Sequence, residues 1–552
     1  MKPLVAAVLV LALTGCASLP TAGPVRIGPD LTQASGEETF YYSPSSPTED
    51  ATQVEILNGF LAAGTGPQND YAVAREFLSE NIRSTWSPSQ EVLIQRSSPK
   101  VSVLEGDVAT VEIDVSGRID ADGRYEAVPA GSSQVLEFSF VREGSQWRLN
   151  KAPDATVLIR PVFDVVFSSF SVYFFDRQKR FLVPEVRWFP NTAATGTRLA
   201  NALLRGPSNW LKPAVISAIP SGTRLSIDAV TVENGVALVD LTARALVATR
   251  TDRSLMKAQL DATLSQLPAV SEVAISIERS KQEIADSQNE QNVQGIRSLA
   301  FVGEEGLESL ASTEPSFFQA GKEFFEQTEV SQLALSRESG WLAAISDGVV
   351  IRTRSEQPGS TIEAVDSRAG IVAIDFDPQE YLWSLTLEGS SAVRAISFDG
   401  KSSTVAAPWL AGQSVRAFAI SPEGTRAALL VSGSDRNRVL VSAIVRNPSG
   451  TPIELAEPIE IAGEVANPSA LSWVDAVTVA VVNSTDVFTN AFLTTVGGTS
   501  RAVSAVQGTI ALVAGGSNSA LYLLTSSGDL YTYRGSTWSL IRESVRALTA
   551  IN

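Results

Sequence analysis

The chemistry most legible in the chain is concentrated at Leu13-Thr14-Gly15-Cys16, which contains the only cysteine among 552 residues. Lys2 and an apolar run over residues 4–13 precede it. A positive start, an apolar stretch and small residues before a cut are the pattern of a secretory signal. Thr14 and Gly15 are small enough for the backbone to enter a peptidase groove. The thiol that follows can take a diacylglycerol, cleavage before it frees an amine, and that amine can be acylated. One acyl chain binds a bilayer only marginally, whereas two or more hold stably.

In order, spacing and residue type the four residues look like a bacterial lipobox. Two plainer readings compete: an incidental cysteine in an ordinary signal peptide, and a cysteine inside a transmembrane helix. A spanning helix needs about 20 apolar residues, and this run ends by Pro20. The expectation is therefore a signal peptide over residues 1–15 and a lipid-modified Cys16. The remainder is then held at the extracytoplasmic face of the cell membrane.

The other side chains exclude more chemistry than they offer. The chain contains no histidine, which removes Ser-His-Asp and Cys-His nucleophile systems and His-ligated zinc. Catalysis by carboxylates alone, as in glycoside hydrolysis, stays open. With 60 acidic residues, neighbouring carboxylates arise by chance. Separately, Asp114 or Asp120 could be a base in a first-domain pocket and Asp240 a site residue in the second domain, each read more simply as a strand or turn carboxylate. A net charge of −17 argues against a nucleic-acid partner. A cysteine committed to lipid leaves no internal disulfide. The composition, 44% hydrophobic and 19% charged, is that of a globular protein. It favours a binding protein over an enzyme, with no metal or cofactor expected.

The length predicts several domains. Residues 16–48, rich in proline, serine, threonine and glycine, predict a tether. A first domain is expected over 49–160. Val54, Leu57, Phe60 and Leu61 predict a helix capped at Thr48, and Tyr71, Ala74, Phe77 and Leu78 predict a second. Period-two alternation then predicts strands over 101–103, 108–115, 135–141 and 147–149. Helices followed by a curved antiparallel sheet resemble the nuclear transport factor 2-like α+β fold.

A second domain is expected over 162–280. It has a strand at 172–175 and a helix from Thr197 that stops at Gly206-Pro207. A hairpin over 225–232 and 236–241 turns at Asn234-Gly235, and a helix over 252–267 leads to a strand at 273–277. Leu204-Arg205-Gly206-Pro207, Ile219-Pro220-Ser221-Gly222-Thr223 and Val236-Ala237-Leu238-Val239-Asp240-Leu241 resemble the GerMN domain, an α/β module. Polar residues 281–297 predict a linker or a crossing helix.

From residue 298 to 552 one pattern repeats: an apolar strand, a polar turn, a second apolar strand. Leu335, Phe376, Ile420 and Leu471 mark copies 41, 44 and 51 residues apart, near the 40–45 residues of a four-stranded propeller blade. Ser544-Val545-Arg546-Ala547-Leu548 repeats Ser414-Val415-Arg416-Ala417-Phe418. That last strand lacks partners after it, so it is expected to pair with residues 299–302 and 306–310. The ring would then close at about six blades. Arg416 and Arg546 are candidate binding residues, with packing or surface charge as the plainer reading.

A lipobox, a nuclear transport factor 2-like region, a GerMN module and a propeller in that order resemble the LpqB family of actinobacterial lipoproteins. The resemblance implies a partner, the extracytoplasmic sensor region of an MtrB-type histidine kinase, and a role in tuning its signalling in cell-wall homeostasis and division. A cell-wall glycan (peptidoglycan) binder is the alternative. Its signature would be exposed aromatics beside carboxylates, with Trp341, Trp383, Trp473 and Trp538 as candidates. A carboxylate-dependent envelope hydrolase is the third reading.

Overall fold

A computed structural model describes residues 44–104, 106–129, 131–287, 298–310, 325, 329–336, 340–354, 361–388, 392–485, 487–515 and 520–551. Cys16 and most of the expected tether lie outside the described residues.

The first module begins with helix α1 (Gln53–Ala63). Its cap is Thr52 rather than Thr48. The Thr52 hydroxyl accepts from the Glu55 amide at 3.3 Å, and the Glu55 carboxylate accepts from the Thr52 amide at 2.8 Å. Two otherwise unpaired amides are satisfied at once, which places the start at that residue. Ile56, Leu57, Phe60 and Ala63 face the core, while Val54, in the first turn, is 43% exposed and not part of the expected face. Two short helices follow, α2 (Ala72–Glu76) and α3 (Glu80–Arg83).

The sheet comprises β1 (Glu91–Gln95), β2 (Lys100–Leu104), β3 (Val108–Asp120), β4 (Tyr125–Ala127), β5 (Ser133–Glu143), β6 (Gln146–Lys151) and β7 (Ala155–Ile159). Its order is β6-β5-β3-β1-β7, with β2 and β4 also paired to β3. Along β3, Ala109, Val111, Ile113 and Val115 point inward beneath α1, as alternation dictates. The parallel neighbours β1 and β7 escape the alternation rule. Val92, Leu93 and Ile94 are all buried, so both faces of β1 are covered.

The chain continues through α4 (Arg160–Val166) into the antiparallel pair β8 (Phe167–Asp176) and β9 (Leu182–Pro190). All nine residues of β9 are buried, Glu185 and Arg187 included. Next come α5 (Thr195–Arg205), β10 (Val215–Ile216), β11 (Thr231–Glu233), β12 (Val236–Leu241), α6 (Arg250–Leu264), β13 (Glu272–Ile277) and β14 (Ser280–Lys281). Gly206 ends α5 with a φ of 92°, a value glycine tolerates without penalty. Asn234 and Gly235 both carry positive φ, as the tight hairpin requires. The strand before that hairpin is shorter than the expected 225–232. The Ala229 amide bonds the Ile227 carbonyl at 2.7 Å and the Val230 amide bonds Thr197 Oγ at 2.9 Å. The backbone meets β12 at a single bridge, Leu225↔Leu241, is then diverted onto α5, and pairs regularly with β12 from Thr231. The parallel pair β12–β13 and helices α5 and α6 enclose the module's core.

The remaining chain forms successive antiparallel sheets around an axis. Their inner strands are Ala547–Ile551, Gln332–Ser336, Ile371–Phe376, Ser414–Ile420, Pro468–Trp473 and Thr509–Ala514. Among the described residues each meets the next in that order, and the last meets the first, so the ring is closed. Ala547–Ile551 pairs antiparallel with Ser298–Gly303, from Leu299↔Ala550 to Val302↔Ala547. This is the closure expected from the repeat. It leaves no unpaired inner edge at the seam.

The ring is stitched sheet to sheet. Gln332 bonds both the Val372 carbonyl and the Ile374 amide. Asp375 accepts from the Ile420 amide at 2.7 Å, and the Trp473 indole donates to the Ala419 carbonyl at 3.1 Å. Ser472 donates to the Leu512 carbonyl. The Val545 amide donates to Gly528 at 2.9 Å, and Leu335 pairs with Ile551.

Candidate functional site

The carboxylates singled out in the sequence have structural work. Asp114 pairs with Arg96 at 3.1 Å on the exposed face of β3. Asp120 accepts the Asp122 and Arg124 amides at 2.8 and 2.9 Å, holding the turn at Gly123. Asp240 accepts from the Ser276 hydroxyl at 2.6 Å and the Arg279 amide at 2.9 Å at the end of β12. Burial pushes its carboxyl up, but these bonds and one from Ser226 outweigh it, and the group sits below the usual range. The structure does not gather the three into one place.

The tryptophans proposed as a glycan platform are mostly interior. Trp341, Trp383 and Trp473 are 7%, 0% and 3% exposed. Trp383 donates to Asp377 at 2.7 Å, and Arg352 lies over Trp341 at 4.4 Å. Half-buried Trp538 donates to the Ser504 carbonyl. The exposed-aromatic signature of a glycan face is not met by these residues.

Buried charges in the propeller are paired. Arg446 meets Asp377 at 2.6 Å, Arg426 meets Glu423 at 2.7 Å, and Asp366 is held by Arg368 and Arg394. Glu423 and Asp366 are raised by burial, yet their arginines and hydroxyl donors more than compensate and hold both below the ordinary carboxylate range. Asp375 departs from this pattern. Burial pushes it up to about 7, two backbone amides lower it, and nearby Asp377 raises it further. It lines the central channel, a space of about 270 Å³. Asp375 is not among the candidates drawn from the sequence. A charge inside the run Val372-Ala373-Ile374-Asp375-Phe376 was the available signal.

The channel also gathers Arg416 and Arg546. A repeated backbone feature explains how Arg416 is presented. In four inner strands the pairing register slips, between Ile371 and Ala373, Val415 and Ala417, Pro468 and Ala470, and Thr509 and Ala511. The skipped residues are Val372, Arg416, Ser469 and Ile510. A bulge of this kind re-aims one side chain, and Arg416, Ser469 and Ile510 all line the channel. Arg546 occupies the matching place immediately before the closing strand. Val415 and Val545, the residues before each arginine, are both buried, and both donate their amides to the preceding sheet, to Leu387 at 2.8 Å and Gly528 at 2.9 Å.

A second space lies where the modules meet. Strand β9 is the hub. Its Trp188 amide bonds the Gly123 carbonyl of the first module at 2.7 Å, its Trp188 indole bonds Gly497 of the propeller at 3.1 Å, and Arg426 bonds the Pro184 carbonyl at 3.3 Å. Arg205 on α5 adds an ion pair to Asp122 at 2.7 Å. Beside β9 is a cavity of about 470 Å³ lined by Arg124, Tyr125, Val186, Trp210, Ile461 and Val496 among others. Burial pushes the Tyr125 hydroxyl up to about 12. The polar groups here, Glu185 with Arg187 and Arg426 with Glu423, already bond one another. No cluster of carboxylates able to hold a metal occurs among the described residues, and none of their helices is long and apolar enough to cross a membrane.

Comparison with known proteins assigns the modules. Residues 46–164 match the family model for the N-terminal domain of lipoprotein LpqB, and residues 321–548 match that for the LpqB β-propeller domain. Residues 171–283 match the sporulation and spore germination model named Germane. The chain belongs to the LpqB lipoprotein family. The LpqB lipoprotein of Thermobifida fusca is 25% identical, covering 85% of this chain and 84% of its own length. That of Bifidobacterium longum is 27% identical over 80% and 77%. That of Cutibacterium acnes is 29% identical over 51% and 47%.

Proposed function

We propose that this LpqB-family chain is anchored by lipid on Cys16 to the outer face of the cell membrane. There it binds and modulates the sensor region of a two-component histidine kinase of the MtrB type. The observation that carries the reading is the pairing of Leu13-Thr14-Gly15-Cys16 with an LpqB-type β-propeller in one chain. A lipid anchor confines the protein to the layer from which a sensor region protrudes, which raises its effective concentration there. Residues 16–48 serve as the tether, and the loops at the propeller rim offer the docking surface. The mostly interior tryptophans and internally paired carboxylates favour protein docking over both the glycan and the hydrolase readings.

The anchor is tested by Cys16→Ala. The variant is expected to lose labelling by a fatty-acid probe and to leave the membrane fraction while its domains stay folded. Retention after high-salt washing would refute the anchor. The partner is tested by pull-down from detergent-solubilised membranes with the mature protein as bait. The sensor kinase is expected in the eluate; purified peptidoglycan bound in its place would favour the glycan alternative.

A further inference from the structure

We infer that the mouth of the propeller channel is a binding site for a carboxylate, received by Arg416 from one wall and faced by Arg546 from the other. This does not rest on the kinase reading.

Three observations converge. The first is placement. The inner strand carrying Arg416 is separated from Ala547–Ile551, which Arg546 immediately precedes, by two strands in either direction round the ring, so the two arginines stand on opposite sides of the axis. Both line the same space. The second is that the fold does not demand a cation at this position. Three other sheets make the same register slip with Val372, Ser469 and Ile510. An arginine placed there by the bulge is a choice of side chain on a backbone that accepts small or apolar ones. The third is the state of Arg416. It is exposed, its hydrogen bond is to Ser432 Oγ at 3.2 Å, and it enters no ion pair among the described residues. The buried arginines of this propeller, Arg352, Arg426 and Arg446, sit against carboxylates, whereas Arg416, at the channel, does not.

The site has a chemical shape. Arg546 donates to the Gly303 carbonyl at 3.3 Å and the Phe325 carbonyl at 2.8 Å, bonds that fix its guanidinium at the wall. Ser469 and Gln332 also line the space, with their side chains bonded to Val482 and to Val372 and Ile374. Asp375 also lines the channel, three residues beyond the slipped position of its own strand. Its oxygens accept from the Phe376 and Ile420 amides. A guanidinium presents a planar fork of donors that matches a carboxylate bidentately. A space of about 270 Å³ is small beside ordinary ligand pockets of roughly 300–1,000 Å³. It suits a group the size of an acidic side chain or a short free acid. The carboxylate therefore has two possible sources, a small dicarboxylate or a glutamate on a docking protein.

The experiment is calorimetric titration of the full mature protein at low ionic strength with succinate, with its uncharged analogue succinamide, and with a capped Gly-Gly-Glu-Gly-Gly peptide. Succinate or the peptide is expected to bind, succinamide is not, and Arg416→Gln is expected to weaken binding at least tenfold. Arg416→Lys should recover part of the loss, which separates charge from packing. Arg416 touches no backbone carbonyl in its hydrogen bond, so R416Q should melt as the parent does. Tighter binding of the peptide points to a protein source, and tighter binding of succinate to a free acid. Equal affinity of parent and R416Q, equal binding of succinamide, or no binding of either acid would overturn the assignment.

Discussion

Asp375, half-buried in the channel wall, and Arg426, fully buried, show how differently one fold treats two charges. Arg426 is 1% exposed, yet Glu423, the Pro184 carbonyl and the Ala476 carbonyl each take one of its donors. Breaking such a pair by removing one partner costs about 3–5 kcal/mol, because the other charge stays buried. Asp375 has amides but no cation, and its carboxyl rises from 3.8 to about 7. The folded protein thus keeps a proton that the unfolded chain releases, and the group's contribution weakens folding progressively as pH rises from about 4 to about 7. Asp366 and Glu423, held low by their arginines, work in the opposite sense. Asp375→Asn removes the penalty while keeping an oxygen for the Ile420 amide. The melting temperature of D375N, relative to the parent, is expected to be higher at pH 8 than at pH 4. An equal difference at both pH values would show that Asp375 titrates normally. The sequence shows a charge inside an apolar strand, but not how it is held, because that depends on which strand lies beside residue 375 in the ring.

At the scale of elements, what was legible followed from periodicity and turn chemistry. Alternation gave β3 and β5, Asn234-Gly235 gave the β11–β12 turn, and the repeat of Ser-Val-Arg-Ala led to the closing strand. The elements that were missed are those whose surroundings erase the period. Strand β9 is covered on both faces and carries Pro184, Glu185 and Arg187, so it alternates in no way a solvent-facing strand would. The shift of the α1 cap from Thr48 to Thr52 has a local cause that was visible in principle: Glu55 stands three residues after Thr52. The closing strand can be tested alone. Deleting residues 547–551 removes the partner of Ser298–Gly303 and opens the ring, so the propeller is expected to melt several degrees lower and to aggregate on heating. An unchanged melting profile would mean that the seam does not hold the ring.

At the scale of the whole molecule, β9 ties three modules into one body. Gly123 is a tight point of this junction. Its φ is +78°, and a Cβ there would lie 2.8 Å from the Trp188 carbonyl. Gly123→Ala is therefore expected to destabilise the junction by more than about 1 kcal/mol, detected as earlier proteolysis between the first and second modules with the propeller still folded. Cleavage at the parental rate would show that the contact is slack. A body joined in this way, carried on a lipid tether, would present the propeller to the membrane-proximal layer as a unit. The kinase reading requires that presentation. The most direct measurement is autophosphorylation of the MtrB-type kinase in vesicles carrying the lipidated protein, compared with the same vesicles carrying soluble Cys16→Ala protein at equal total concentration. The account predicts that the lipidated protein changes the phosphorylation rate and that the soluble form does so only at much higher concentration. A rate identical with lipidated protein, soluble protein and none would contradict it.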